Sequence, residues 1–221
     1  MRLALLGGTG DIGEGLALRW ARDTDHEVLV GSRDPDRARD RVEEYKEILA
    51  EDGAEGTIKG FENGMAADRA DVVVLSVPPY HVESTVESVA DRIGDAILVS
   101  PAVGIKRDDE GFHYHRPPAG SVTALAAEAA PDDVPVVGAF HSLPASRLSD
   151  LGDDLGFDTL VVGDDRDANR EIAALADEID GLRVFEAGPL ANAAEVESLT
   201  PLLINLARFN RELDHVGVRF D

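Results

Sequence analysis

Short apolar runs alternate along the chain with longer stretches whose apolar positions repeat at helical spacing. The runs fall at residues 3–6, 28–30, 72–77, 96–99, 134–140, 159–162 and 184–185, with a weaker one at 57–59. A run such as Val72-Val73-Val74-Leu75 leaves no polar face for solvent, which is how strands read when a parallel sheet is covered by helices on both sides. The helical spacing predicts helices over 12–22, 36–50, 81–92, 122–130, 168–179 and 193–213. Strand and helix in alternation make the class α/β, a doubly wound and mostly parallel sheet with helices on both faces and a small C-terminal lobe.

Three local features add detail. Asn192 and Glu195 have the spacing of a capping box for the last helix. Pro201 lies inside that helix, and a proline there removes a backbone bond and should kink or divide it. The stretch 101–120 is a long loop for a compact domain, a kind of loop that is often functional.

The first apolar run leads into Gly8-Thr9-Gly10-Asp11-Ile12-Gly13 and then an amphipathic helix, with Leu16, Ala17, Trp20 and Ala21 on one side and Glu14, Arg19 and Arg22 on the other. In that context the G-x-G-x-x-G spacing reads as a Rossmann-type dinucleotide fingerprint. Gly8 permits the tight turn, Gly10 lets backbone approach a pyrophosphate, and Gly13 packs helix on strand. The anion would rest on the helix N-terminus. At the end of the second run, where an NAD enzyme usually places Asp or Glu, stand Ser32 and Arg33 with Arg37 behind them. A carboxylate would repel a 2′-phosphate, whereas a guanidinium binds it bidentately, so the expected dinucleotide is NADP. The plainer alternative is a pair of surface arginines at a helix start, although two cations there oppose the dipole unless an anion joins them.

Composition narrows the partners. The 221 residues carry 44 Asp+Glu against 21 Lys+Arg, a net charge of -23. With 43% hydrophobic residues this is no disordered polyanion. Such charge strains a fold in dilute buffer and is relieved when molar salt shortens the Debye length to roughly 3 Å, so a halophilic host is expected. The same charge repels nucleic acid. The absence of cysteine excludes disulfides, Cys-ligated zinc and a thiolate nucleophile. No signal-like opening and no run of 18 apolar residues is visible, which predicts a cytoplasmic protein with no membrane partner.

Ligands of doubly wound folds lie outside the carboxyl ends of the strands. Val77 and Pro78 read there as apolar walls, although Pro78-Pro79 is equally a helix start, and His81 is either a cofactor contact or a solvated residue. The stretch 100–105 ends the next run at the same rim. After the 134–140 run come His141, Ser142 and Arg147. A general acid or base role suits His141, but no Asp or Lys has triad spacing, and a histidine hydrogen-bonded at a strand end is the alternative. In 197–210 the apolar residues read as core or dimer face, interrupted by Asn205, Arg208 and Asn210, which suit the polar edge of a flat heterocycle. His113 and His115 near Asp108, Asp109 and Glu110 lack a helical frame for metal, and no metal is expected.

In combination, Gly7-Gly8-Thr9-Gly10, Gly31-Ser32-Arg33, the Val77-Pro78 and His81 segment, His141-Ser142-Leu143-Pro144-Ala145, the segment 178–183, Ala187-Gly188-Pro189-Leu190, and Glu197-Ser198-Leu199-Thr200-Pro201 through Arg208-Phe209-Asn210 resemble the F420-dependent NADP reductase family. The likeness runs in order over essentially the whole chain. It implies an archaeal-type enzyme that passes a hydride between reduced coenzyme F420, an 8-hydroxy-5-deazaflavin, and NADP. It also implies an NADP-binding domain at 1–140, a portion 141–221 that completes the sheet and forms the deazaflavin pocket, and a homodimer or higher homo-oligomer. By match, Gly8, Thr9, Gly10, Asp11, Ile12, Gly13, Ser32, Arg33 and Arg37 would hold NADP, and Val77, Pro78, Pro79, His81, Ile105 and Ala145 would lie along its nicotinamide half. His141, Leu143, Pro144, Asn205, Leu206 and Ala207 would face the deazaflavin. Two departures from the family are Asp11, where a neutral residue is common, and Pro79, which replaces a bulkier one.

Direct transfer between two carriers needs no acid, base or nucleophile from the protein, so no catalytic side chain is expected. Arg116, Arg147 and Arg208 are the candidates for a cationic funnel toward the deazaflavin's anionic tail. Two other readings stay open: an NADP-dependent reductase of a small imine or carbonyl with His141 as proton donor, and a non-catalytic NADP-sensing domain. The charge balance predicts that the urea midpoint rises between dilute buffer and molar KCl; equal midpoints would contradict the salt-adapted reading.

Overall fold

Leu3, Ala4, Leu5 and Leu6 have no accessible surface because the strand they form lies inside an eight-stranded sheet with helices over both faces. The computed structural model describes residues 1–152 and 154–221. In chain order the elements begin β1 (Arg2–Leu6), α1 (Asp11–Asp23), β2 (Glu27–Ser32), α2 (Pro35–Glu51), β3 (Thr57–Glu62), α3 (Asn63–Ala67), β4 (Val72–Leu75) and α4 (Val82–Val89). They continue β5 (Ile97–Ser100), β6 (Ile105–Arg107), β7 (Phe112–Tyr114), α5 (Val122–Ala129), β8 (Val136–Gly138), α6 (Ala145–Ser149), β9 (Phe157–Gly163), α7 (Arg166–Asp177), β10 (Leu182–Glu186) and α8 (Ala193–Phe209).

The sheet order is β10-β9-β8-β5-β4-β1-β2-β3, parallel throughout except where β9 runs antiparallel to β8. Side chains alternate between two cores. Leu3, Leu5, Val72 and Val74 join Leu16, Trp20 and Phe140 on one face, while Ala4, Leu6, Val73 and Leu75 join Val82, Val86 and Val122 on the other. This alternation is why the runs carry no polar position: both faces of each strand are interior.

The structure corrects several local expectations. The stretch 101–120 is not a bare loop, since β6 and β7 pair within it as an antiparallel hairpin. The segment expected as one helix over 81–92 is α4 flanked by 3-10 turns at Pro79–His81 and Ala90–Arg92. The capping box at Asn192 does not form, because the Asn192 amide instead donates to the Ala187 carbonyl at 2.8 Å. Pro201 does not divide α8, which runs unbroken to Phe209 and buries Ala193, Ala194, Val196, Glu197 and Pro201. That burial outweighs the one backbone bond lost at proline.

Arg19 is the largest departure. Expected on the polar side of α1, it has no accessible surface, because α6, too short to carry a periodic signal, covers it. Its guanidinium donates to the carbonyls of Leu148 and Arg147, each at 3.0 Å, and of Asp150. These are acceptors at the C-terminal end of α6 that lack helical partners. Gly15 permits the contact, since a Cβ there would stand 2.3 Å from the Leu148 Cβ. Arg19 thus fixes the segment that carries Pro144 and Ala145. Among the described residues no helix is long and apolar enough to cross a membrane.

Candidate functional site

From β1 the chain moves outward through β2 and β3, then returns to lay β4 on the opposite side of β1. The connections therefore diverge between β1 and β4 and leave a crevice at their carboxyl ends. Gly7 turns the chain there at φ 73°. A Cβ on Gly7 would lie 2.6 Å from Val77 Cγ1 and 2.8 Å from the Ser76 carbonyl oxygen, so only glycine fits between the strand ends. The left-handed residue of the turn is thus Gly7, one place ahead of the expected Gly8. Gly8 donates to Leu5 O at 2.9 Å and Gly31 O at 3.1 Å, and its own carbonyl accepts from the buried Tyr45 hydroxyl at 2.9 Å. Burial pushes the Tyr45 phenol up to about 12, which keeps it a donor. Gly13 comes so near the turn that its Cβ would stand 2.4 Å from Gly8 Cα.

This contact aims the start of α1 at the crevice. Side chains cap α2, α3, α5 and α7, through Asp34, Glu62, Ser121 and Asp165 respectively, whereas α1, like α4, α6 and α8, has no side-chain cap. Its leading amides stay available beside Thr9 and Gly10, the arrangement that receives phosphate. The crevice opens into a cleft of about 800 Å³, lined along its length by Gly7, Thr9, Gly10, Ser32, Arg33 and Arg37 and, on the other wall, by Val77, Pro78 and His81. Asp34 and Glu62 also border it, but both carboxylates are turned into caps: Asp34 accepts from the amides of Asp36 and Arg37, Glu62 from those of Gly64 and Met65. Nearby Arg39 and Arg41 are paired with Asp36 and Glu14. Arg33 and Arg37 are exposed and, among the described residues, paired with no carboxylate. In a chain of net charge -23, two unpaired guanidiniums at one end of a cleft suit a dianionic ligand.

Not every expected residue borders this cleft. Asp11 is exposed on the first turn of α1, Ile12 packs against the core, and Gly8 and Gly13 are buried behind the turn. Pro79 and Ile105 line a second, mostly apolar cleft of about 820 Å³ with Tyr80, His115, Arg116 and Pro117. The structure adds Asn63, Ser76, Ser84, Thr85 and Ser88 to the first cleft. Ser84, Thr85 and Ser88 form a hydroxyl stripe at helical spacing on α4, a signal present in the sequence. Asn63 had none; its Oδ1 accepts from the Gly7 amide at 3.4 Å because α3, which it opens, packs back against β1 and β2.

His141 follows β8 and is 5% exposed. Its Nε2 lies 3.3 Å from Thr123 Oγ1 and its carbonyl accepts from Thr200 Oγ1 at 2.8 Å. Burial pushes the imidazole down to about 4, so it is neutral at pH 7. Leu143 is buried, and Pro144 and Ala145 are half-buried where α6 begins. Asn205 spends its amide on the hairpin, accepting from Phe112 N at 2.9 Å and donating to Phe112 O at 2.7 Å. Leu206 is exposed and Ala207 half-buried on the same helix. His113 pairs with Asp108 at 3.0 Å. Of the arginines, Arg116 borders the apolar cleft, Arg208 lies over the Phe209 ring at 5.4 Å, and Arg147 is tied to Asp154 O and Asp150.

The lowered His141 value makes stability pH-dependent. The unfolded chain takes up a proton near pH 6.5 and the native state only near 4, so the contribution of this group is full above 6.5, falls as pH drops to 4 and is flat below. Relative to His141→Gln, the wild type should lose about 3 kcal/mol across that window in urea melts. A difference between the two proteins that ignores pH would contradict a buried neutral imidazole.

A sequence model of the family described as NADP oxidoreductase, coenzyme F420-dependent, matches residues 2–104. The F420-dependent NADP reductase of Methanocaldococcus jannaschii is 37% identical over 93% of this chain and 92% of its own length. That of Methanothermobacter thermautotrophicus is 39% identical over 99% of this chain and 94% of its own. A crystal structure from Arthrobacter sp. FB24 superposes with a TM-score of 0.80 at 22% identity, covering 99% of this chain and 98% of the other, and shares the fold. With relatives this similar over nearly its whole length, the chain belongs to the coenzyme F420-dependent NADP oxidoreductase family.

Proposed function

We propose that this protein transfers a hydride between reduced coenzyme F420 and NADP, working in the cytoplasm as a homo-oligomer. The observation that carries the reading is the polarity of the first cleft. One end offers uncapped helix amides and the unpaired Arg33 and Arg37, and the other runs to an apolar rim of Val77 and Pro78 with no carboxylic acid or lysine on it.

The residues fit NADP in three places. Arg33 and Arg37, with the Ser32 hydroxyl, would take the 2′-phosphate, and the caps at Asp34 and Glu62 hold the nearest carboxylates away from it. The amides of α1 with Thr9 and Gly10 would take the pyrophosphate. Val77, Pro78 and His81 would border the nicotinamide half, with Pro79, Ile105 and Ala145 further along the rim. His141, Leu143 and Pro144 from the β8–α6 connection and Leu206 and Ala207 from α8 would form the deazaflavin side, with Asn205 holding the hairpin beside them rather than offering its amide to the ring. The reaction's chemistry resides in the two coenzymes, a C–H hydride on the reduced deazaflavin and an electrophilic nicotinamide carbon. The protein's part is to hold the reacting carbons about 3–3.5 Å apart and exclude water. A neutral, buried His141 supplies no acid, which disfavours reduction of an imine or carbonyl.

The oligomer reading rests on α8, where Leu202, Leu206 and Phe209 are 54%, 39% and 65% exposed at helical spacing, with Leu213 40% exposed in the segment after the helix. A stripe of that kind marks an association face. Light scattering on Phe209→Glu should fall toward the 23.6 kDa of one chain; a wild type already at that mass would contradict the oligomer.

The function is tested by anaerobic stopped flow with reduced F420 and NADP. Oxidised deazaflavin absorbance should appear in step with NADPH, and its failure to appear would defeat the proposal. Arg33→Ala should weaken NADP about 10- to 100-fold, as loss of a charge-assisted contact does, and leave NAD nearly unchanged. Equal losses for both dinucleotides would contradict a 2′-phosphate role.

A further inference from the structure

Glu197 is a carboxylate without accessible surface. Its four donors are all neutral: Tyr114 Oη at 2.8 Å and Val122 N at 3.0 Å on Oε2, Thr123 N at 2.9 Å and Thr123 Oγ1 at 3.0 Å on Oε1. Two of the donors are the first amides of α5, so the charge also faces the positive end of a helix dipole. The arrangement ties the β6–β7 hairpin, α5 and α8 together, yet it does more than bind them.

A carboxylate only accepts. The Thr123 hydroxyl hydrogen is therefore committed to Glu197, and Thr123 Oγ1 has only lone pairs left for His141 Nε2 at 3.3 Å. The hydrogen between them belongs to the imidazole. No side chain intrudes, because β8 places Gly138 beneath the pair: a Cβ there would stand 2.9 Å from both His141 Cε1 and Thr123 Oγ1. Thr200, one turn after Glu197 on α8, holds the His141 carbonyl, so the same helix steers backbone and ring. With Nε2 protonated and the ring neutral, Nδ1 carries a bare lone pair. It is buried and has no hydrogen-bond partner among the described residues.

We propose that Glu197 is a positioning residue. Acting through Thr123 Oγ1, it locks His141 as the Nε2–H tautomer and leaves Nδ1 as an unsatisfied acceptor, closed to solvent here, that an N–H or O–H of the second coenzyme's ring would uncover and take. The last clause rests on the reading that His141 faces the deazaflavin; the tautomer lock does not. An imidazole so held accepts one hydrogen bond and offers none, so it discriminates by protonation state: a ring that presents a donor is satisfied, and one that presents only a lone pair leaves two acceptors facing each other in a buried site.

Long-range proton–nitrogen spectra of the full chain labelled with ¹⁵N-histidine test this, with His141→Gln assigning the signal. The wild type should show the neutral Nε2–H pattern with and without NADP. Thr123→Val, which keeps shape and removes the hydroxyl, should populate both tautomers and raise KM for reduced F420 about 10-fold while KM for NADP and kcat stay within about 2-fold. Thr123→Ser should restore the single tautomer. A wild-type signal with hydrogen on Nδ1, or Thr123→Val still fixed as Nε2–H, would overturn the lock, and the first of these needs no variant to fold. A correct tautomer with an unchanged deazaflavin KM in Thr123→Val would overturn the recognition role. A wild type that never oxidises reduced F420 would instead remove the functional reading and leave the lock standing.

Discussion

The site depends on how closely backbone can approach backbone at the carboxyl end of β1. Gly7 wedges between the ends of β1 and β4, and Gly13 leaves its Cβ position 2.4 Å from Gly8 Cα. Side chains at these places would push α1 away from the crevice, and its uncapped amides would then face water instead of a phosphate. The Tyr45 hydroxyl on Gly8 O secures the turn from α2. The same α2 carries Arg37 and, at its cap, Asp34, so the packing that fixes the end proposed for the pyrophosphate also spaces the end proposed for the 2′-phosphate.

Two buried charged residues fix the segments proposed for the deazaflavin side, by different means. Arg19 reaches out of α1 to satisfy carbonyls at the end of α6 and so places the Pro144–Ala145 segment. Glu197 reaches out of α8 to the start of α5 and the hairpin, and through Thr123 to His141. Each is tolerated inside because donors and acceptors meet it on several sides; removing one partner would leave an uncompensated charge. The consequence is that the segments proposed for the deazaflavin, all from the second half of the chain, are keyed to elements of the first.

The class of fold was legible because burial on both faces leaves a trace in every strand, a run without polar positions. The dinucleotide turn and the Ser32-Arg33 reversal were legible for a similar reason: each is a local requirement of backbone or charge. What was not legible depended on partners distant in sequence. Arg19 reads as solvated until α6 is laid over it, and Asn205 reads as a ligand-facing amide until the hairpin arrives to take both of its polar atoms. The five residues of α6 and the three-residue strands of the hairpin are too short for periodicity to register. Glu197 was visible only as part of a motif, and its role needed the hairpin and α5, which converge on it.

In the proposed mechanism the hydride passes directly between two coenzymes with no proton-transferring side chain between them. Reduced F420 carrying two deuteriums at the donor carbon, mixed with NADP and the protein in ordinary water, tests it. Direct transfer gives NADPH with deuterium at the nicotinamide acceptor carbon, in amount equal to the deazaflavin oxidised, and none in the solvent. Unlabelled NADPH, or label appearing in water, would contradict it.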